Sequence, residues 1–356
     1  MTRKKIRALG IAAILTAVIG AMVARPASAQ NTAFKPPLPL PGPAPTERDV
    51  AYAKSDAATG QGHLLDLYLP KDRSKPVPVV IFTHGSAWMA DNGKMDAQGL
   101  AAILVPRGYA VAGVSIRSST QARFPAQVYD IKAAIRWLRS NAGKYGLDGG
   151  HIGIIGESSG GWTSAMAAVT GDVPELEGGE GVTGISSAVQ AAIAFYPPTD
   201  FLQMDPAALR PCDPKAPASL TAPFCHASAG SPESLLIGCA LNSCPDAVER
   251  ANPIRYISKA DPPIMVIHGE RDSAVPYGQG EMFYQALNKA CHTASFLSLP
   301  IAGHGTWYQM MSDPSLAYGA TIRSTSSDGC KVEIPQPVTP SWDMIVSFFD
   351  RYLKSR

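Results

Sequence analysis

Residues Gly156-Glu157-Ser158-Ser159-Gly160 set a serine between two different kinds of segment. The five residues before them, His151 to Ile155, read as a short buried strand, and Gly161 to Val169 reads as the start of a helix. A serine on so sharp a strand-to-helix turn is held in a strained backbone conformation that only small neighbours tolerate. Its hydroxyl projects above the sheet at a helix N-terminus, where developing negative charge is favoured. The pentapeptide alone is common. Its setting makes Ser158 a candidate nucleophile and the backbone N–H of Ser159 a candidate oxyanion donor.

A nucleophile on this kind of elbow needs an acid and a histidine downstream, in the order serine, acid, histidine. The strand-like run Pro263 to His268 leads into Gly269-Glu-Arg-Asp272, which puts Asp272 in a loop just past a strand end. Asp200 also follows a strand-like segment and is the alternative acid. Ala294 to Leu299 reads as the last strand, and His304 follows in the glycine-flanked loop Ala302-Gly-His-Gly305. Of seven histidines, His84 and His268 precede glycines at strand ends and read as structural. His292 lies before the last strand, so its loop opens at the wrong end of the sheet. A serine hydroxyl is a poor nucleophile at neutral pH, so His304 would take its proton while Asp272 fixes the imidazole tautomer.

Developing negative charge needs donors already in place. After the apolar run Val77 to Phe82 comes Thr83-His84-Gly85-Ser86-Ala87-Trp88, which joins Ser159 as the candidate oxyanion hole, through Gly85 and Ser86. His84 to Trp88, Phe124-Pro-Ala-Gln127 to Leu138, the elbow, and His268-Gly-x-x-Asp272-x-x-Val-Pro276 together resemble secreted bacterial α/β-hydrolase carboxylesterases. That group includes feruloyl and acetyl-xylan esterases and, more distantly, hormone-sensitive-lipase-type esterases. The resemblance runs from about Asp49 to Lys354. It implies an α/β-hydrolase fold, ester hydrolysis, and the catalytic set Ser158, Asp272 and His304. One departure stands out: Ser86 occupies the place of a second glycine, which leaves Gly85, Ser86 and Ala87 as competing donors.

The first 29 residues hold five basic residues and no acidic one, leaving 26 basic against 29 acidic residues in the rest. Nothing in that balance points to nucleic acid or an anionic membrane surface. Thr2 to Arg7 is a basic segment, Ala8 to Val23 an apolar one, and Ala27-Ser-Ala29 a small-residue cleavage site. This reads as a signal peptide cut after Ala29. The apolar run is short for a membrane span, so a secreted or periplasmic protein without a stable membrane anchor is expected. Six cysteines, all beyond the cleavage site, then read as disulfides of an oxidising compartment. Six allow fifteen pairings; the expectation is the local set Cys212–Cys225, Cys239–Cys244 and Cys291–Cys330. No close Cys-x-x-Cys or phosphate-binding glycine motif occurs, so neither metal nor cofactor is expected.

Residues 30–48 are a proline-rich lead-in, expected to be an extended spacer. From 49 to 356, strands alternate with helices, which predicts one α/β domain with a mainly parallel sheet covered on both faces. Val128, Ile131, Ile135 and Leu138 recur at helical spacing in a packed amphipathic helix. The pattern breaks over residues 197–262, rich in cysteine, proline and serine, read as a stapled cap or lid above the strand ends. A second insertion is expected at 312–340, before a closing helix near Ser341–Leu353.

Trp88, Trp162 and Trp307 adjoin the three chemical motifs and are expected to wall an aromatic pocket. The substrate expectation is a small-molecule or polysaccharide-linked ester with a small acyl or aromatic-acid group. A serine peptidase or amidase of the same fold, and a non-catalytic binding protein on the same scaffold, are the alternatives.

Overall fold

The computed structural model describes residues 41–54, 60–215, 224–328 and 330–354. The signal segment, its cleavage site and residues 30–40 of the lead-in lie outside the described residues.

The chain enters through an antiparallel pair, β1 (Glu47–Ala51) and β2 (Leu64–Tyr68). Then β3 (Val77–Thr83), α1 (Ala97–Leu104), β4 (Ala110–Val114), α2 (Ala126–Ser140) and a short α3 (Ala142–Tyr145) alternate. β5 (Leu147–Glu157) and α4 (Ser159–Val169) form the elbow, followed by β6 (Ala191–Phe195). After the expected break come, among the described residues, only short helices, including α5 (Pro232–Ile237) and α6 (Pro245–Glu249). β7 (Ile264–Gly269), α7 (Gly278–Lys289), β8 (Ala294–Leu299) and α8 (Trp307–Met310) resume the alternation.

The sheet runs β1-β2-β4-β3-β5-β6-β7-β8 and continues beyond β8. All neighbours from β4 to β8 in that order are parallel. β3 is Val-Pro-Val-Val-Ile-Phe-Thr with every residue buried, as a parallel strand covered on both faces must be. One face packs against α2, α4 and α7 through Ile131, Ile135, Leu138, Val169, Phe283 and Leu287. The other packs against α1 and the closing helix α9 (Trp342–Leu353) through Leu100, Leu104, Ile345, Phe349 and Leu353.

β8 is the last parallel strand but not the last strand, which corrects the reading of Ala294–Leu299 as the last one. β9 (Thr321–Ser326) adds to β8 antiparallel, and β10 (Lys331–Val332) and β11 (Gln336–Pro337) each pair with β9. The composition of β9 hid it: Thr-Ile-Arg-Ser-Thr-Ser has one large apolar residue, yet pairing with β8 satisfies its backbone hydrogen bonds. The three expected disulfides form, and Cys291–Cys330 ties the α7–β8 connection to the β9–β10 turn. Among the described residues, no helix is long and apolar enough to cross a membrane.

Candidate active site

Ser158 sits between β5 and α4 with φ 56° and ψ −125°, a sparsely populated positive-φ conformation that costs a non-glycine residue about 1–3 kcal/mol. The surrounding structure enforces it. Its N–H donates to Phe195 O of β6 at 3.0 Å. A Cβ on Gly156 would lie 2.3 Å from Gly160 O, and one on Gly160 would lie 2.1 Å from Thr83 O. Both glycines of the motif are therefore required by close backbone approach, which lets the elbow press onto the end of β3.

The loops after β7 and β8 meet the serine. His304 Nε2 lies 3.0 Å from Ser158 Oγ, and His304 Nδ1 lies 2.8 Å from Asp272 Oδ2. Asp272 is fully buried. Its other oxygen, Oδ1, accepts the N–H groups of Ala274 and Val275 at 2.9 and 2.8 Å. Burial pushes the Asp272 pKa up, but the charge of His304 and hydrogen bonds from His268 and His304 outweigh it and hold the carboxyl well below its usual range. Burial pushes His304 down; the Asp272 charge and hydrogen bond outweigh that and leave it raised above the ordinary imidazole value. Because Asp272 accepts at Nδ1–H, the neutral imidazole presents its lone pair at Nε2, toward Ser158. The ring of Tyr196, itself at φ 34°, covers His304 at 4.7 Å between centroids.

The rival residues lie elsewhere. Asp200 caps a short 3-10 turn, accepting from Leu202 N, and its own backbone is held by Gln279. His292 Nε2 bonds Asp261 O, away from Ser158. His268 Nε2 bonds Val275 O and stands 3.5 Å from Asp272 Oδ2, bracing the aspartate loop.

The oxyanion loop corrects two expected residues. Gly85 N–H donates to Glu157 Oε1 at 2.5 Å, and Ser86 N–H donates to Ser159 Oγ at 2.9 Å. Both donors are already spent inside the protein. Ala87 N–H has no acceptor among the described residues, and Ala87 lines the cleft beside Ser158 and Ser159. Ala87 and Trp88 have φ of 51° and 56°, and Met89 N–H closes the turn on Ser86 O at 2.9 Å. Two left-handed residues inside such a closed turn define a type I′ turn. Ser86 precedes that strain and has no left-handed φ, which explains why a serine replaces the second glycine without harm. Glu157 was missed by sequence reasoning. Its buried carboxylate also stands 3.0 Å from His84 Nδ1, so it ties the oxyanion loop to the elbow. Its place as the variable residue next to the nucleophile was the signal.

A cleft of about 200 Å³ opens over Ser158 and His304, walled on one side by Ala87, Trp88 and Met89 and on the other by Pro198, Phe224, His226, Pro232 and Glu233. The second wall belongs to the 197–262 segment. Of the three expected tryptophans, only Trp88 lines the cleft. Trp162 is wholly buried behind it, edge-on to Trp88 at 5.4 Å and donating from Nε1 to Ala251 O of the cap. Trp307 packs on Phe82, Phe195 and Trp342 within the sheet core. Adjacency in sequence put these rings near the motifs, but helix direction turned both into the interior. Trp88, Trp162, Phe201, Leu236, Leu241 and Val248 form a separate apolar cluster that joins cap to elbow helix.

A serine on a strained elbow, met by a histidine and an aspartate from loops at the same end of a mainly parallel sheet, defines an α/β-hydrolase site. The BD-FAE family profile matches residues 65–287, and the chain belongs to that family. It is similar to two esterases of Mycobacterium tuberculosis. With LipC it is 31% identical, covering 68% of this chain and 56% of LipC; with LipQ it is 30% identical, covering 74% and 59%. The chain thus spans just over half the length of these relatives. Among solved structures it resembles a truncated carbohydrate esterase from gut microbiota at 36% identity and a TM-score of 0.64, covering 72% of this chain and 88% of that one. It also resembles Thermogutta terrifontis esterase 2, solved phosphonylated by sarin, at 25% identity and a TM-score of 0.58, covering 76% and 89%.

Proposed function

We propose that the protein is a serine carboxylic-ester hydrolase that works through an acyl-enzyme on small acyl or aromatic-acid esters, free or linked to polysaccharide. What carries this reading is the hydrogen-bonded run Asp272–His304–Ser158 at the floor of a cleft. Ser158 Oγ attacks the acyl carbon as His304 Nε2 takes its proton, and the Asp272 carboxylate stabilises the resulting imidazolium. The N–H groups of Ser159 and Ala87 receive the oxyanion; losing one such donor costs about 10²–10³ in rate. Collapse expels the alcohol with the proton from His304 and leaves acyl-Ser158. Water, deprotonated by the same histidine, then releases the acid.

The test is covalent labelling. A phosphonate ester incubated with the protein should add one phosphonyl group, mapped by peptide mass spectrometry to Ser158. Labelling at any other serine, or none from folded protein, overturns the reading. An initial-rate panel of acetyl, butyryl, octanoyl and feruloyl esters, with a peptide amide beside it, then ranks the acyl groups and tests the amidase alternative. We also propose export, supported by the basic and apolar segments before Ala27-Ser-Ala29; the N-terminus of the exported protein should be Gln30.

A further inference from the structure

The cap wall carries a second imidazole–carboxylate pair. His226 Nδ1 lies 2.9 Å from Glu233 Oε1, and both residues are at least 95% buried while lining the cleft over Ser158. The pair is held from several sides. Asp205 Oδ1 and Oδ2 accept the backbone N–H groups of His226 and Ala227 at 2.7 and 2.9 Å. Ser231 Oγ donates to His226 O at 2.5 Å, and the neighbouring Cys225 is bonded to Cys212. The Phe224 ring lies 4.6 Å from the imidazole, centroid to centroid.

These contacts leave two polar atoms of the pair without a partner among the described residues, the buried Glu233 Oε2 and His226 Nε2. Of these, His226 Nε2 is not sealed from solvent. Buried ion pairs are poor stabilisers, because desolvation offsets most of the attraction and an apolar replacement often does as well. A pair so positioned, lining a mainly apolar cleft with Nε2 unpartnered among the described residues, is better explained by what it meets there. We propose that His226, oriented by Glu233, is a specificity-determining residue that hydrogen-bonds a hydroxyl group of the substrate.

The chemistry selects a hydroxyl. As a carboxylate Glu233 only accepts, so opposite it Nδ1 carries a proton whatever the charge of the ring. Neutral His226 would offer an acceptor at Nε2 and cationic His226 a donor. A hydroxyl pairs with either, whereas an ether or carbonyl pairs only with the cation. A substrate carboxylate is disfavoured, since Glu233 and Asp205 already place two negative charges beside one imidazole. Burial lowers the His226 pKa, but the charge and hydrogen bond of Glu233, then Asp205 and Asp272, outweigh it and raise it. An alkyl ester would bury Nε2 without a partner, and sites built to bond a hydroxyl reject analogues lacking it.

This inference rests on the proposed ester hydrolysis. Its test is the ratio of kcat/KM for matched esters with and without the hydroxyl. One arm compares a monoacetylated methyl xyloside with cyclohexyl acetate; the other compares methyl 4-hydroxycinnamate with methyl cinnamate. The parent protein should favour the hydroxylated member of one pair, and the arm that responds identifies a sugar or a phenol. His226→Phe should collapse that ratio toward one, a change of about 10- to 100-fold. His226→Gln, which keeps a nitrogen donor of similar reach, should retain part of it; this variant decides the matter if the phenylalanine one fails to fold. A parent ratio near one in both arms, or a ratio indifferent to folded His226 variants, overturns the inference. Absence of turnover of every ester, phenyl acetate included, overturns instead the hydrolase reading on which it rests.

Discussion

Replacing Asp272 by asparagine removes a charge without removing volume, and the structure dictates how the amide must sit. Oδ1 accepts two backbone N–H groups, from Ala274 and Val275, and Oδ2 faces His304 Nδ1. If the asparagine oxygen keeps the two N–H groups, its NH₂ points at His304 Nδ1 and forces the proton onto Nε2. The histidine then donates to Ser158 and cannot accept its proton. The opposite rotamer would set NH₂ against two backbone donors, each left unsatisfied at about 1–3 kcal/mol, so it does not rescue the site. A wrong tautomer with intact geometry costs about 10⁴ in kcat, or about 5.4 kcal/mol at 1.36 kcal/mol per tenfold. The pH profile supplies a second readout. His304 must be neutral to act as base, and its pKa is raised by the Asp272 carboxylate. Activity of the parent should therefore rise with pH through a midpoint above the ordinary imidazole value of about 6.5, and in Asp272→Asn that midpoint should move down. The assay is the initial rate of phenyl acetate hydrolysis from pH 5 to 9, with circular dichroism to verify folding. A loss under about tenfold in a folded variant, or an acid limb that does not move, refutes the reasoning.

Other outcomes follow from the packing. Gly160→Ala should destabilise the protein by about 1–3 kcal/mol or more and lower activity, because its Cβ would meet Thr83 O at 2.1 Å; urea unfolding measures it. Serines at Cys291 and Cys330 open a loop of 39 residues and should cost about 4 kcal/mol, against about 2 kcal/mol for the five-residue separation of Cys239 and Cys244. Thermal unfolding of the two double variants should rank them in that order; the reverse order contradicts the entropic account. Trp307→Ala should act through stability, by about 3–5 kcal/mol, with little change in the relative rates of different esters. Trp88→Ala, at the cleft wall, should change that ranking. Equal effects on ranking would contradict the placement of Trp307 in the sheet core.

The parallel strands and their helices were legible because each carried a strong period or an unbroken apolar run. Val77 to Thr83 has no polar side chain until its last residue, and α2 repeats apolar residues at helical spacing. The convergence of Ser158, Asp272 and His304 was legible for a related reason: each follows a readable strand, and parallel strands deliver their following loops to one end. β9 was not, since its residues are mostly half-exposed and carry no apolar run, and its place comes from pairing with β8 on one side and β10 and β11 on the other. The choice among Gly85, Ser86 and Ala87 as the loop donor was not, since which N–H remains free depends on where Glu157 and Ser159 Oγ point. Nor were His226 and Glu233, seven residues apart in a segment without period. Their meeting depends on the Cys212–Cys225 bridge and the Asp205 carboxylate, which no local pattern announces.

The central claim is that Ser158 is the nucleophile, and kcat/KM for phenyl acetate in the parent and in Ser158→Ala tests it most directly. The account predicts turnover by the parent and a loss of about 10⁴-fold or more in a folded Ser158→Ala. A folded variant within tenfold of the parent would contradict it.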